Sequence, residues 1–267
     1  MSFRQILRSF CIVLFLFSVS HVMASTNIPQ KGIFIPNMGQ WPASVHYMAK
    51  TPSMNLWITE KGIVHDLYTV DRNPHGLKTK KGHAFEMTMP GALIPKGFGE
   101  VQSPTIVNYF RGKHSNEWRL NVPTYSTVRI PQVYDGIDIV YSFDGANPRY
   151  DFHVQPGTDP GKIILNFAGA EASTGKDGAL SIKTRFGSIE HGKIHAFQYD
   201  ESGSKVTVPC SFTKSERGFV FSLASYDKNK TLIIDPLVYS TYLGNAGADA
   251  INGVVLDNAG NVVENNE

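Results

Sequence analysis

The chain is expected to be all-β, built as a β-sandwich-like domain of many short antiparallel strands. Three observations lead there. Short alternating or apolar runs recur along the chain, each followed by a cluster of Gly, Pro, Asn or Asp, which is how strands linked by turns are written. Helical periodicity is hard to find. The 267-residue chain is also 42% hydrophobic, enough for one large or two small β domains.

Taken in order, the strand candidates are Ser44–Met48, Asn55–Thr59 before Glu60-Lys61-Gly62, Ile63–Tyr68, Ala84–Met89 before Pro90-Gly91, and Ser126–Ile130 before Pro131. Further on come Ile137–Phe143, Tyr150–Val154, Lys162–Phe167, Ala179–Thr184, Phe219–Leu223 and Leu232–Ile234. Between residues 137 and 154 the order is strand, "DGANPR", strand. Asp144-Gly145 supplies a positive-φ position and Pro148 a fixed φ, so a hairpin is expected. Alternation puts Ile137, Ile139 and Tyr141 on one face and Asp138, Val140 and Ser142 on the other. Residues 179–189 suggest a second hairpin whose register "KTRFGS" leaves open. The basic run Lys78-Thr79-Lys80-Lys81 reads as a solvated loop after Pro74-His75-Gly76.

The N-terminus speaks to location. Arg4 and Arg8 precede an almost wholly apolar stretch from Ser9 to Val19, and Val22-Met23-Ala24 follows. That is the pattern of a secretory signal peptide over residues 1–24, cut between Ala24 and Ser25. Its apolar core is about 11 residues, against the roughly 20 that a spanning helix needs, and no second such stretch follows. The expectation is therefore a secreted or cell-surface protein with no transmembrane segment in its mature chain. Residues 1–24 hold two Arg and no acid, so the 25 Lys+Arg and 23 Asp+Glu of the whole chain become 23 of each after cleavage. A balanced chain without a basic face has little to attract nucleic acid. Cys11 leaves with the leader. Cys210 is then alone, no internal disulfide can form, and the fold must rest on its core. In "VPCSF" Cys210 reads as a small buried hydrophobe rather than a nucleophile.

The search for chemistry yields near misses. Gly169 to Lys176 looks like a phosphate loop, but it has one residue too many between its glycines, and Asp177 stands where Ser or Thr would hold magnesium. No G-x-S-x-G elbow occurs. His191 and His195, on one strand, would stand roughly 13 Å apart and could not share a zinc. Asp135, Asp138, Asp144 and Asp151 gather near one hairpin without calcium-loop spacing. No catalytic residue, cofactor or metal is assigned. Asp138 and Asp151 are the first acids to inspect as a hydrolytic pair, and Trp41, Trp57 and Trp118 the candidates for a sugar-stacking surface.

Four stretches together carry a resemblance: "NMGQWPASVHYMAK" (37–50), "VNYFRGKHSNEWRLNVPTYSTVRIPQVYDGIDIVYSF" (107–143), "YDFHVQPGTDPGKIILNFAGA" (150–170) and "LIIDPLVYSTYLG" (232–244). They resemble the N-terminal domain of unknown function of large secreted bacterial proteins that carry SBBP (β-propeller) repeats. The resemblance implies that repeats similar to G-G-x-x-x-D-x-A-x-x-I-A-V-D-x-x-G-N-x-Y-V-x-G follow the domain. Residues 244–263, "GNAGADAINGVVLDNAGNVV", look like one such unit, with Asn245 at the second Gly and Val263 where Tyr or Val would stand. One partial blade cannot close a propeller, so residues 245–267 are expected to be loosely ordered or to add a strand to the preceding domain. The missing repeats are expected downstream of Glu267, the chain being a truncated product or a fragment.

The expected layout is a signal peptide (1–24), an all-β domain (25–237) whose possible two subdomains meet near residues 156–160, and a linker with a partial repeat (238–267). The expected role is a non-catalytic extracellular module, a structural or adhesive cap before a propeller, with an extracellular protein or glycan as partner. The alternative is a carbohydrate-binding or carbohydrate-active, glycoside hydrolase-like, secreted protein.

Overall fold

A computed structural model describes residues 32–236 except 52–53, 73–77, 146, 176–177 and 192–193, together with the backbone of three short strands further on. The signal-peptide segment, its Ala24/Ser25 junction and most of the repeat-like stretch lie outside the described residues.

The chain is almost entirely strand. In order come β1 (Phe34–Pro36), β2 (Val45–Lys50), β3 (Met54–Thr59), β4 (Gly62–Arg72), β5 (Lys78–Thr88), β6 (Phe98–Tyr109), β7 (Arg119–Tyr134), β8 (Ile137–Asp144), β9 (Asn147–Val154) and β10 (Asn166–Ala168). Then follow β11 (Glu171–Thr174), β12 (Leu180–Thr184), β13 (Gly187–His191), β14 (His195–Tyr199), β15 (Lys205–Val208), β16 (Cys210–Ser215), β17 (Gly218–Leu223), β18 (Leu232–Asp235), β19 (Val238–Ser240), β20 (Val254–Leu256) and β21 (Val262–Glu264). Among the described residues the only helical pieces are 3-10 turns at Ser115–Glu117 and Pro160–Lys162.

One large antiparallel sheet runs β10-β5-β4-β3-β2-β1-β7-β8-β9-β18-β14-β15, with β6 also on β7, and it does not close into a barrel. The long strand β7 joins its halves: β1 meets it at Tyr125 and β8 from Val128 to Tyr134. The halves face one another. Phe34 of β1 meets the edge of Tyr141 on β8, ring centroids 6.3 Å apart, and Tyr150 Oη of β9 lies 3.5 Å from Met87 Sδ of β5. Strands from both sides of the Pro156–Pro160 turn run in this sheet. A four-stranded sheet, β11-β12-β13-β19, adds Leu180, Ile182 and Ile189 to the same core, and the β16–β17 hairpin adds Phe212, Phe219 and Phe221.

Residues 137–154 form the expected hairpin. Asp144 pairs with Asn147, Gly145 has φ 61°, and Ile137, Ile139 and Tyr141 all point into the core. The 179–189 region resolves as β12–β13 with Thr184 opposite Gly187. Two readings are corrected. Lys78–Lys81 is not a loop but the first part of β5, paired with residues 69–72 of β4, and Lys80 Nζ stands 4.3 Å from the Tyr68 ring centroid. Cross-strand pairing over eleven residues of β4 outweighs the polar composition of the run. "HGKIH" is not one strand: His191 ends β13 and His195 begins β14, in different sheets.

A second, smaller core lies on the opposite face of β2 and β3. Ile35, Trp41, Val45, Met48, Trp57 and Val122 form it, with Val107 and Tyr109 of β6 packed against them. The turn before it is held by Asn37, whose Nδ2 donates to the carbonyls of Trp41, Pro42 and Val45. Gln40 Nε2 donates to Pro36 O. The "NMGQW" stretch is thus a hydrogen-bonded clamp that seats Trp41.

Candidate functional site: the charged outer face of β7, β8, β9 and β18

Strand alternation builds this face. In Arg149-Tyr150-Asp151-Phe152-His153-Val154, the even-numbered residues enter the main core and the odd-numbered ones stand outward. β18 pairs with β9 so that Ile234 opposes Phe152, which brings Asp235 beside Asp151. One nitrogen of Arg149, Nη2, donates to Asp151 Oδ1 at 3.0 Å and to Asp235 Oδ2 at 2.5 Å. Asp235 is buried. Its burial, and then the Asp151 carboxylate beside it, outweigh Arg149 and push its carboxyl up to about 7. Arg149 Nε and Asp235 Oδ1 are buried with no hydrogen-bond partner among the described residues.

A parallel arrangement sits one strand away. Arg129 on β7 pairs with Glu100 of β6 and, at 3.1 Å, with Asp138 Oδ2 of β8. The Gln132 backbone N–H donates to Asp138 Oδ1 at 2.9 Å. His153, opposite Asp138 in the β8–β9 register, has its pKa lowered by burial and by the Arg129 charge. Asp138 is therefore committed to a fixed ion pair. Asp235, with its carboxyl pushed up to about 7, can exchange a proton near neutral pH.

The sequence-selected residues fall in three places. Asp138 and Asp151 share this face, but each is bound to its own arginine, and the carboxylate next to Asp151 is Asp235. Trp41 and Trp57 are buried in the second core, edge to face at 5.4 Å, so neither offers a ring face to a ligand in solvent. Trp118 is half-buried at the end of the β6–β7 arm. Cys210 is half-buried against the main core, and burial pushes its thiol up to about 12. Among the described residues no three His, Cys, Asp or Glu side chains are grouped to hold a metal ion, and no helix is long and apolar enough to cross a membrane.

Residues 34–237 match the model of a family described as a domain of unknown function, DUF7948. The chain belongs to this family. No curated protein and no solved structure matches it. The match begins on β1 of the DUF7948 domain and ends just after β18. It takes in the Asn37–Trp41 clamp, the β8–β9 hairpin and the Arg149–Asp151–Asp235 cluster. Sequence reasoning missed Arg129, Arg149, His153 and Asp235. The first three were signalled by polar residues alternating with Ile, Tyr and Phe, whereas Asp235, the last residue of "LIID", carried no local signal.

Proposed function

We propose that this chain is a non-catalytic extracellular β module, exported through residues 1–24, that serves as a structural or adhesive cap before an SBBP-type propeller region beginning near Gly244. The observation that carries this reading is the exit of the chain. β19 (Val238–Ser240) pairs with β13, opposite Ile189, Glu190 and His191, so the step from the domain to the repeat-like stretch is made by a strand tied into a sheet. A tied exit holds whatever follows at a set place and orientation on the domain. A chain cut after Pro236 should then melt several degrees lower than the full chain, because β13 loses its outer partner. An unchanged melting temperature would sink the tether, and cell fractionation that leaves the protein in the cytoplasm would sink the export.

The carbohydrate-active alternative draws on one observation, the raised Asp235 carboxyl beside Asp151, which lies in the range of a working acid. The burial of Trp41 and Trp57 weighs against it. Binding on a glycan array, or turnover of a glycoside panel lost in Asp235→Asn, would favour it over the cap.

A further inference from the structure

The β6–β7 arm ends in an apolar tip that neither core uses. Ile106, Phe110 and Leu120 are 58%, 66% and 51% exposed. Met38, 53% exposed, accepts at its carbonyl from Arg119 Nε. Phe110 meets Trp118 edge to face, ring centroids 5.2 Å apart. Single exposed apolar residues are ordinary, but this aromatic pair, with Leu120 two residues on from Trp118 and Ile106 earlier on β6, makes this part of the hairpin a candidate contact surface.

Charge selects the occupant. Between Phe110 and Leu120 stand Arg111, Lys113 and Arg119 against the single acid Glu117, whereas the rest of the chain after Ala24 carries 20 Lys+Arg against 22 Asp+Glu. The arginines are built into the tip. Arg111 donates to Gln40 O, and Arg119 to the carbonyls of Met38, Asn116 and Trp118, while Lys113 and His114 are exposed. Aromatic rings flanked by fixed cations settle at the headgroup level of a bilayer, with the rings at the acyl boundary and the cations among the phosphates. The tip also borders the second core, across β2 and β3 from the core that receives Ile189 of β13. The exit strand therefore leaves from the other side of the β2–β3 layer.

We propose that this tip, through Ile106, Phe110, Trp118 and Leu120, docks the protein on an anionic lipid surface. Protein beginning at Ser25, so that the apolar leader does not contribute, is titrated with vesicles of phosphatidylcholine, with and without a one-third fraction of phosphatidylglycerol. Trp41 and Trp57 are already buried, so a blue shift of tryptophan emission reports Trp118. The expected result is a blue shift and co-sedimentation with the anionic vesicles, weakened by salt. The double variant Phe110→Ser/Leu120→Ser should keep its melting temperature and bind weaker by roughly tenfold per side chain. Absence of partitioning at millimolar lipid, equal binding to pure phosphatidylcholine, or unchanged binding by the double variant would overturn the proposal. So would self-association abolished by that variant without vesicle binding, which would assign the tip to a second copy of the chain.

Discussion

Arg149 and Tyr150 are neighbours in the chain, yet they belong to the two faces of one sheet, and the faces treat ionisable groups in opposite ways. On the inner face Tyr150 meets Phe152 and, from β13, His191, while His65 from β4 lies stacked on Phe85 at 4.4 Å. Both imidazoles are fully buried, and burial lowers them to about 3 for His65 and about 4 for His191. On the outer face burial and a neighbouring carboxylate raise Asp235 to about 7. Each face thus keeps its group uncharged, the inner by leaving imidazoles unprotonated and the outer by retaining a proton on a carboxyl. His65 and His191 should therefore cost stability in acid, as should the outward-facing His153, whereas Asp235 should cost stability as the solution turns neutral.

The largest test removes the inner face directly. Tyr150→Ala takes away a ring that touches Tyr141, Phe152 and His191, and leaves a cavity between the two halves of the sheet. The expected loss is about 3–5 kcal/mol by urea unfolding. A loss near that of a surface substitution would mean that the halves do not depend on this contact.

Acid is the next lever. Below the ordinary imidazole value of 6.5, the unfolded chain takes up protons that His65 and His191 refuse in the fold. Their contribution is whole above pH 6.5 and is lost as pH falls toward 4 and then 3. His191→Phe keeps the ring volume and should spare about 3 kcal/mol of the loss between pH 7 and pH 4. Unfolding free energies at the two pH values check it, and a variant as acid-sensitive as the parent would clear His191 of the role.

Asp235 on the outer face should respond with the other sign. Between the ordinary carboxyl value of 3.8 and about 7, the folded chain keeps a proton on Asp235 that the unfolded chain has released. That contribution is present below pH 3.8 and is lost as pH rises through 7. Asp235→Asn imitates the protonated acid. It should be more stable than the parent at pH 8 by about 1–2 kcal/mol, reduced from the full shift by the coupling to Asp151 and Arg149. Lower stability of the variant at pH 8 would show that the ionised form is the one Arg149 needs.

How far each face could be read beforehand follows from the distance its partners span. The β8–β9 hairpin was legible because Asp144-Gly145 and Asn147-Pro148 fix the turn and Ile137, Ile139 and Tyr141 mark one face. The alternation of "RYDFHV" carries the same signal for Arg149, Asp151 and His153, of which only Asp151 was singled out. Asp235 was hidden, since only the β9–β18 pairing, which joins residues about eighty apart in the chain, sets it beside Asp151. β6 escaped notice because Gly99 and Pro104 interrupt its pattern, and its register against β7 shifts four times. Lys78–Lys81 misled for the opposite reason: its composition is that of a loop, while its pairing is that of a strand.

The smallest expected effect asks whether the outer face holds the fold at all. Arg129 bridges Glu100 on β6 and Asp138 on β8, so three strands meet at one guanidinium. The group is about a fifth exposed, and ion pairs of that kind contribute little once water and salt compete for them. Arg129→Ala should cost about 0.5–1 kcal/mol, and the difference from the parent should shrink as salt is raised. Asp138 would keep its bond from the Gln132 backbone, which limits the damage to the β6 side. If Arg129→Ala instead approached the cost of Tyr150→Ala, β6 would be fastened to the domain by charge rather than by Val107 and Tyr109 in the second core. The apolar tip that β6 carries would then loosen with it, and vesicle binding by the Arg129→Ala protein would fall in parallel with its stability.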